Sequence, residues 1–356
     1  MENTKIQATD SVKCGSCGAD MRFDPKTQSL LCDHCGSVVA LNAKVTNEEK
    51  DYSQIDDTAF EQWTDGRAFR CENCGATTTF AEGEIATKCP FCGAPKIVSI
   101  GEQAGIKPMA VVPFAFTKED ARQYYLKWIK RRIFAPGSLK KRFNADTING
   151  VYIPCWTFDS DTVSDYDGVL GEHYTVTVGS GKNRHTETRT RWFAVKGTFL
   201  RSFDDVTVEA SSKMEQSDYD KIAPYPTNEA CDYDSRFMAG FSAERYDKDV
   251  RESFKQAENV MRESVKRGII EKYHADVVQT LNVRMKHTHT TYKYVLLPVW
   301  VCSYKYKDKE YRFYTNGKSG KTGGKTPVSP VRAGIAVFLG LALLVLIIYL
   351  LMTYGE

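Results

Sequence analysis

Eight of the eleven cysteines of this chain fall in four Cys-x-x-Cys pairs, and the pairs follow one plan twice. Cys14, Cys17, Cys32 and Cys35 read C-x2-C-x14-C-x2-C, and Cys71, Cys74, Cys89 and Cys92 repeat that spacing. The match extends past the sulfurs: Gly18 and Ala19 correspond to Gly75 and Ala76, Phe23 to Phe80, and Gly36 to Gly93. Such a repeat implies two copies of one module. Each Cys-x-x-Cys makes a tight knuckle that presents two thiolates at about 2.3 Å from one metal, and two knuckles complete a tetrahedron. Gly15, Gly18, Gly36, Gly75 and Gly93 stand where the backbone must turn sharply and aim amides at sulfur.

Neither module can fold by apolar burial alone, because each has only roughly 25 residues. Metal would supply about 10–16 kcal/mol of apparent binding energy per site, enough to define the fold. The eight cysteines are therefore expected to hold two structural Zn2+ ions, one in each zinc ribbon, at residues 12–42 and 69–98. Sulfur fills all four positions, which leaves no open coordination site for catalysis. Rubredoxin-like iron is the competing metal. Each module should contain a hairpin. In the first, Met21–Phe23 and Leu30–Leu31 flank Asp24-Pro25-Lys26-Thr27; in the second, Thr77–Phe80 leads into Glu82-Gly83-Glu84. A short helix over Asp57–Asp65 is expected between the ribbons.

The other end of the chain constrains location. Ala333 to Met352 is an uncharged apolar run, and a helix of that length reaches about 30 Å, the thickness of a bilayer's hydrocarbon core. Lys318, Lys321, Lys325 and Arg332 lie on its N-terminal flank, and only Glu356 is charged beyond it. Basic residues beside a span stay cytoplasmic. The expected topology is a single-pass, C-terminal anchor at 333–354 in the cell membrane, with the bulk of the chain in the cytoplasm. The N-terminus has no apolar stretch of signal-peptide type. A reducing cytosol also favours metal over disulfides for paired cysteines. A tether is expected over 317–332, whose basic residues could also rest on anionic headgroups.

Residues 106–316 are long enough for one compact domain or two related ones. Lys118–Phe134 and Lys248–Tyr273 carry helical periodicity. Ile148–Phe158, Asp276–Lys286, Tyr292–Tyr306 and Glu310–Thr315 read as strands. Glu172–Val178 and Thr186–Val195 should form a hairpin with a polar tip. The phrases Ile153-Pro154-Cys155-Trp156 and Leu297-Pro298-Val299-Trp300 echo each other and hint at an internal duplication. The expected class is α+β, an antiparallel-sheet body with flanking helices.

The search for catalysis returns little. His287 and His289 alternate on one strand, and His173 and His185 would lie close across the hairpin near Glu187. Polar strand ends and cross-strand pairs explain these better than a metal. Asp159, Asp161, Asp165 and Asp167 lack the calcium-loop pattern. Gly320-Lys321-Thr322 and Gly324-Lys325-Thr326 lack the first glycine of a phosphate loop. Cys155, Cys231 and Cys302 should pack as small hydrophobes. An enzyme is not expected. Arg122, Lys127, Lys130, Arg131 and Arg132, continued by Lys140, Lys141 and Arg142, could track phosphates. The ribbons, however, mix Asp20, Asp24, Asp33, Glu72, Glu82 and Glu84 with their basic residues, so neither offers a clean basic face. A net charge of +3 implies no polyanionic partner. Exposed Phe91 or Val38–Leu41 would suit protein contact, and nucleic-acid binding is the alternative reading.

The two ribbons, Ile153-Pro154-Cys155-Trp156, Leu297-Pro298-Val299-Trp300, Tyr304-Lys305-Tyr306, Tyr311-Arg312-Phe313 and Asn316–Lys321 together resemble bacterial membrane proteins with a TFIIB-type zinc ribbon. The resemblance covers nearly the whole chain. In Bacillus-like bacteria a similar protein is encoded beside phage-shock-protein-A-like genes. The resemblance implies a membrane complex with a second membrane protein and a stomatin- or virion-core-like protein, which recruits phage shock protein A during envelope stress. It implies a non-enzymatic adaptor or scaffold and supplies no catalytic residues.

Overall fold

The computed structural model describes residues 12–354 apart from 47, 56–62, 64–66, 81–87, 96, 102–105, 138, 140–147 and 308. The helix expected over Asp57–Asp65 and the turn at Glu82-Gly83-Glu84 lie outside the described residues. So do Lys140, Lys141 and Arg142.

In chain order, β1 (Arg22–Asp24), β2 (Ser29–Leu31) and β3 (Val38–Ala40) form a small antiparallel sheet inside the first cysteine module. All remaining strands among the described residues belong to one large sheet. They are β4 (Lys50–Asp51), β5 (Arg67–Cys71), β6 (Thr77–Phe80), β7 (Ile97–Gly101), β8 (Ala110–Val111), β9 (Ile148–Val178) and β10 (His185–Glu209). Then follow β11 (Cys231–Asp232), β12 (Ser242–Glu244), β13 (Val277–Tyr306), β14 (Lys309–Asn316) and β15 (Thr322–Gly324). The helices among the described residues are α1 (Lys118–Lys130), α2 (Gln216–Ile222), α3 (Val250–Lys272) and α4 (Pro330–Tyr354). The class is α+β.

The sheet is mixed rather than wholly antiparallel. β8 runs parallel to β13 and β12 parallel to β9. These two pairings are equivalent halves of a duplication. Each half has the order short strand, helix, long strand: β8-α1-β9 and β12-α3-β13. Each short strand pairs with the other half's long strand, Ser242 and Ala243 on Val151 and Tyr152, Ala110 and Val111 on Val295 and Leu296. The echoing phrases meet antiparallel at the centre, with Ile153 opposite Leu297. Proline lacks the amide a central strand needs, which confines it to breaks in pairing. Pro154 and Pro298 sit at such breaks. Pro154 lies between the end of the β12 pairing and the start of the β10 pairing; Pro298 lies between β8 and β14.

Both faces of β9 and β13 are covered at this centre. Tyr152, Trp156, Tyr294, Leu296 and Trp300 enter one core with α1, the first part of α3 and the first cysteine module. Alternating neighbours Val151, Ile153, Cys155, Val295, Leu297 and Val299 enter a second core with α2 and the second cysteine module. The two modules thus pack on opposite faces of the same two strands. Farther out, β9, β10 and β13 continue as a three-stranded arm. Val265 and Ile269 of α3 cover one face of it, on Tyr166, Leu170 and Val195.

Several expected boundaries move. The separately expected strands Ile148–Phe158 and Glu172–Val178 are one strand, β9, and Asp276–Lys286 and Tyr292–Tyr306 are likewise one, β13. The first helix stops at Lys130, short of Phe134. The segment expected to tether the body is largely folded into it: Gly317 N donates to the Pro298 carbonyl at 2.8 Å, and β15 pairs with β14. The second module does not stand apart either, because β6 pairs with β12 and joins the large sheet.

Candidate metal centres

All four knuckles share one hydrogen-bond pattern. The amide of the first cysteine of each pair donates to the carbonyl five residues on, as Cys14 N to Ala19 O and Cys89 N to Ala94 O, both at 2.8 Å. The amides of Gly18, Gly36, Gly75 and Gly93 donate back to Cys14, Cys32, Cys71 and Cys89 at 2.8–2.9 Å. That closure needs positive φ at the glycines, which runs from 69° to 75°, and a side chain there would be strained.

The sulfurs converge. Cys14 and Cys35 lie 3.5 Å apart, as do Cys17 and Cys32. Cys71–Cys92 and Cys74–Cys89 are each 3.6 Å. A disulfide would need about 2.05 Å. Four sulfurs held about 2.3 Å from one ion stand about 3.8 Å apart, close to what is seen. Every sulfur in each cluster lies within 4.8 Å of the others, so both clusters fit a metal ion.

Neighbouring donors favour thiolate at Cys14, Cys35 and Cys74, whereas adjacent sulfurs and burial push Cys17, Cys89 and Cys92 the other way. Amides of Ser16 and Cys17 donate to Cys14 and pull its thiol down to about 6. The Ser37 hydroxyl, 3.1 Å from Cys35, lowers that thiol too. In the second cluster Asn73 Nδ2 donates to Cys92 at 3.5 Å. The clusters differ in exposure. Cys17 and Cys35 reach solvent, whereas Cys74 and Cys92 are half-buried. The first module is nonetheless anchored. Phe23, fully buried, meets Phe237 edge-on at 5.2 Å, and its amide donates to Ala239 O at 2.9 Å.

The remaining candidates separate in space. His173 faces Thr190 at 3.1 Å, and His185 lies near the arm's tip opposite Val178, so the two do not meet as expected. His185 pairs with Glu187 at 3.3 Å. A bulge between Thr288 and Thr291 sends His287 inward to Ser160, at 3.0 Å, and leaves His289 exposed beside Asp161. Asp161, Asp165 and Asp167 take cross-strand partners, Ser202, Thr198 and Asn282 with Arg284. Gly320-Lys321-Thr322 leads into strand β15 and not into a helix, which removes the phosphate-loop reading. Cys155, Cys231 and Cys302 are buried and separate. Phe91 is fully buried and offers no contact surface, whereas Val38 and Val39 are exposed on β3.

One cluster escaped the sequence. Asp159 and Asp205 lie in the long strands, and Glu49 joins them from just before β4. Buried Lys293 sits 3.1 Å from Glu49 and 3.7 Å from Asp205. Its ammonium already pairs with two of the three carboxylates. The signal was unreadable because Asp205 belongs to a bulge between Phe203 and Val206, with φ of 51°. Burial, then the like charges of Glu49 and Asp205, push the Asp159 carboxyl up to about 7. A raised carboxylate pKa means the native state holds a proton that the unfolded chain has lost, so this group's stability falls as pH rises from about 4 to about 7. Asp159→Asn should therefore stabilise the protein above neutrality by about 1 kcal/mol after solvent screening, and flatten the decline, as read by chemical denaturation across pH. No gain at high pH would show that the repulsion is absent.

A cavity of about 500 Å³ opens between the second module and the body. Its walls include Arg70, Lys213 and Arg245 but also Glu244, Asp247 and Asp249, so its charge selects no single ligand class.

α4 is long and apolar enough to cross a membrane, with mean hydropathy 2.8 over Pro330–Leu350, and none of that window is buried in the molecule. Fold and site thus define an α+β protein with two four-cysteine clusters and a C-terminal apolar helix. The sequence is 31% identical over 322 residues to a Bacillus subtilis protein described as uncharacterized protein YdjG, covering 90% of each chain. The chain belongs to the YdjG family. No family model matches it, and no solved structure does.

Proposed function

We propose that the protein is a non-enzymatic adaptor, held to the cytoplasmic face of the cell membrane by α4, whose two structural zinc sites stiffen surfaces that dock protein partners. The observation that carries the reading is the pairing of sulfur-closed clusters with an unburied apolar helix. Zinc is the proposed ion because four-thiolate knuckles at this spacing are its usual structural site. The residues that hold it are Cys14, Cys17, Cys32 and Cys35, and Cys71, Cys74, Cys89 and Cys92. The partners proposed are a second membrane protein, a stomatin- or virion-core-like protein and a phage-shock-protein-A-like protein recruited under envelope stress.

The first module supplies the docking surface. β3 is the outer strand of its sheet, paired among the described residues only with β2, and all three of its residues are exposed. A free edge with protruding valines is a template for strand addition by a partner. Purification of the tagged full chain from detergent-solubilised membranes should retain stoichiometric companions. Val38→Lys with Val39→Lys should reduce their recovery about tenfold while both zinc ions stay bound. Equal recovery with the double variant would place docking elsewhere, and a chain recovered with no companion would contradict the adaptor reading.

A further inference from the structure

The lysines of 317–332 that could rest on headgroups take partners on the body's surface. Lys318 pairs with Glu229 at 2.8 Å and Lys325 with Glu215 at 2.6 Å, and Lys321 donates to the Ala223 carbonyl. What the structure ties to the base of α4 is the loop that ends α1. Ser329 N donates to Phe134 O at 2.8 Å. Arg332 Nη1 donates to the carbonyls of Ile133 and Ala135 at 3.1 and 2.9 Å.

We propose that the last residue of α1 and the loop after it, 130–135, form a second membrane contact, with Ile133 and Phe134 seated at the acyl boundary and Lys130 and Arg131 on the phosphates of anionic lipids. The inference rests on the anchor reading and extends it. For the apolar part of α4 to span the hydrocarbon core, its first turn must lie at headgroup depth. A loop hydrogen-bonded to that turn shares the depth. Its side chains suit the position: Ile133 is 74% exposed and Phe134 44%, beside Val328 and Val331 at 60% and 69%. Apolar residues gathered at one spot in water mark a contact surface. Lys127, Lys130, Arg131 and Arg132 are all exposed around it, and each cation near an anionic surface contributes up to ~1 kcal/mol. Arg132 stacks over Trp128 at 5.0 Å, and the exposed Lys130 and Arg131 beside it are the phosphate contacts of the proposal.

Benzophenone amino acids placed singly at Ile133, at Phe338 in α4 and at Leu200 on the arm would test this in the full chain. The protein would be reconstituted into phosphatidylglycerol–phosphatidylcholine vesicles and into phosphatidylcholine alone. All three positions are more than half exposed, so the probe displaces no core. Lipid crosslinking at Ile133 should exceed that at Leu200 about fivefold, and fall about threefold without the anionic lipid or with Lys130→Glu and Arg131→Glu. Labelling at Phe338 with none at Ile133 above the Leu200 level would overturn the inference and leave the anchor standing. Failure at Phe338 as well would remove the anchor reading itself. A yield at Ile133 indifferent to anionic lipid would overturn the assignment of Lys130 and Arg131.

Discussion

Replacing a cysteine should have different consequences in the two modules, although their ligand sets are the same. Cys32→Ser removes one donor from the first cluster, whose three strands form a sheet of their own. The expected result is loss of one metal equivalent and unfolding of residues 12–42, seen as full amide exchange there. The body should keep its sheet, which does not run through β1–β3, and lose only the packing that Met21, Phe23 and Leu30 add to one face of its core. Cys89→Ser should do more. The second cluster shares its sheet with the body through β6 and β12, and Cys71, Cys89 and Phe91 lie in the core beneath β9 and β13. Loss of that metal removes much of about 10–16 kcal/mol of apparent binding energy, comparable to the whole stability of a domain. Exchange protection should then collapse through β9 and β13. Equal, local effects from both variants would show that the second module is an appendage.

The second large effect concerns α4. Arginine at the centre of a spanning helix costs about 2.5–3.5 kcal/mol, and two substitutions roughly double that. Leu343→Arg with Leu346→Arg should move the full chain from the membrane pellet to the alkaline-soluble fraction, with metal content unchanged. Continued resistance to extraction would mean that the body holds the membrane without α4. An unaltered soluble wild type would show that the helix packs on protein. Its exposure argues otherwise: Leu343 and Leu346 are both more than half exposed.

The legible parts of this fold were the local ones. Cysteine spacing placed both clusters, since a knuckle depends on contiguous residues, and the apolar periodicity of Lys248–Tyr273 placed α3 within two residues at its start. Long-range pairing was harder to read. Polar residues such as Asp159–Asp167 interrupt the hydrophobic alternation of β9, so one strand read as several. They are tolerated because the arm has one solvated face, where cross-strand partners satisfy them. The duplicated phrases were visible, but not that they lie against each other, and the exchange of short strands between halves has no sequence signature. Bulges explain the misread histidines. The bulge at His289 turns alternation into divergence, since one added residue reverses every face that follows. The supposed tether misled through composition. Its glycines serve a tight turn against Tyr124 and a strand against Phe313, roles that look the same in sequence as flexibility.

The docking role depends on sulfur-bound metal making two rigid heads. Metal analysis of the purified full chain combined with zinc K-edge absorption tests that directly. Two zinc ions per chain, each with four sulfur neighbours at about 2.3 Å, is the result the clusters predict. Fewer than two metals, iron in their place, or nitrogen and oxygen in the first coordination shell would contradict it.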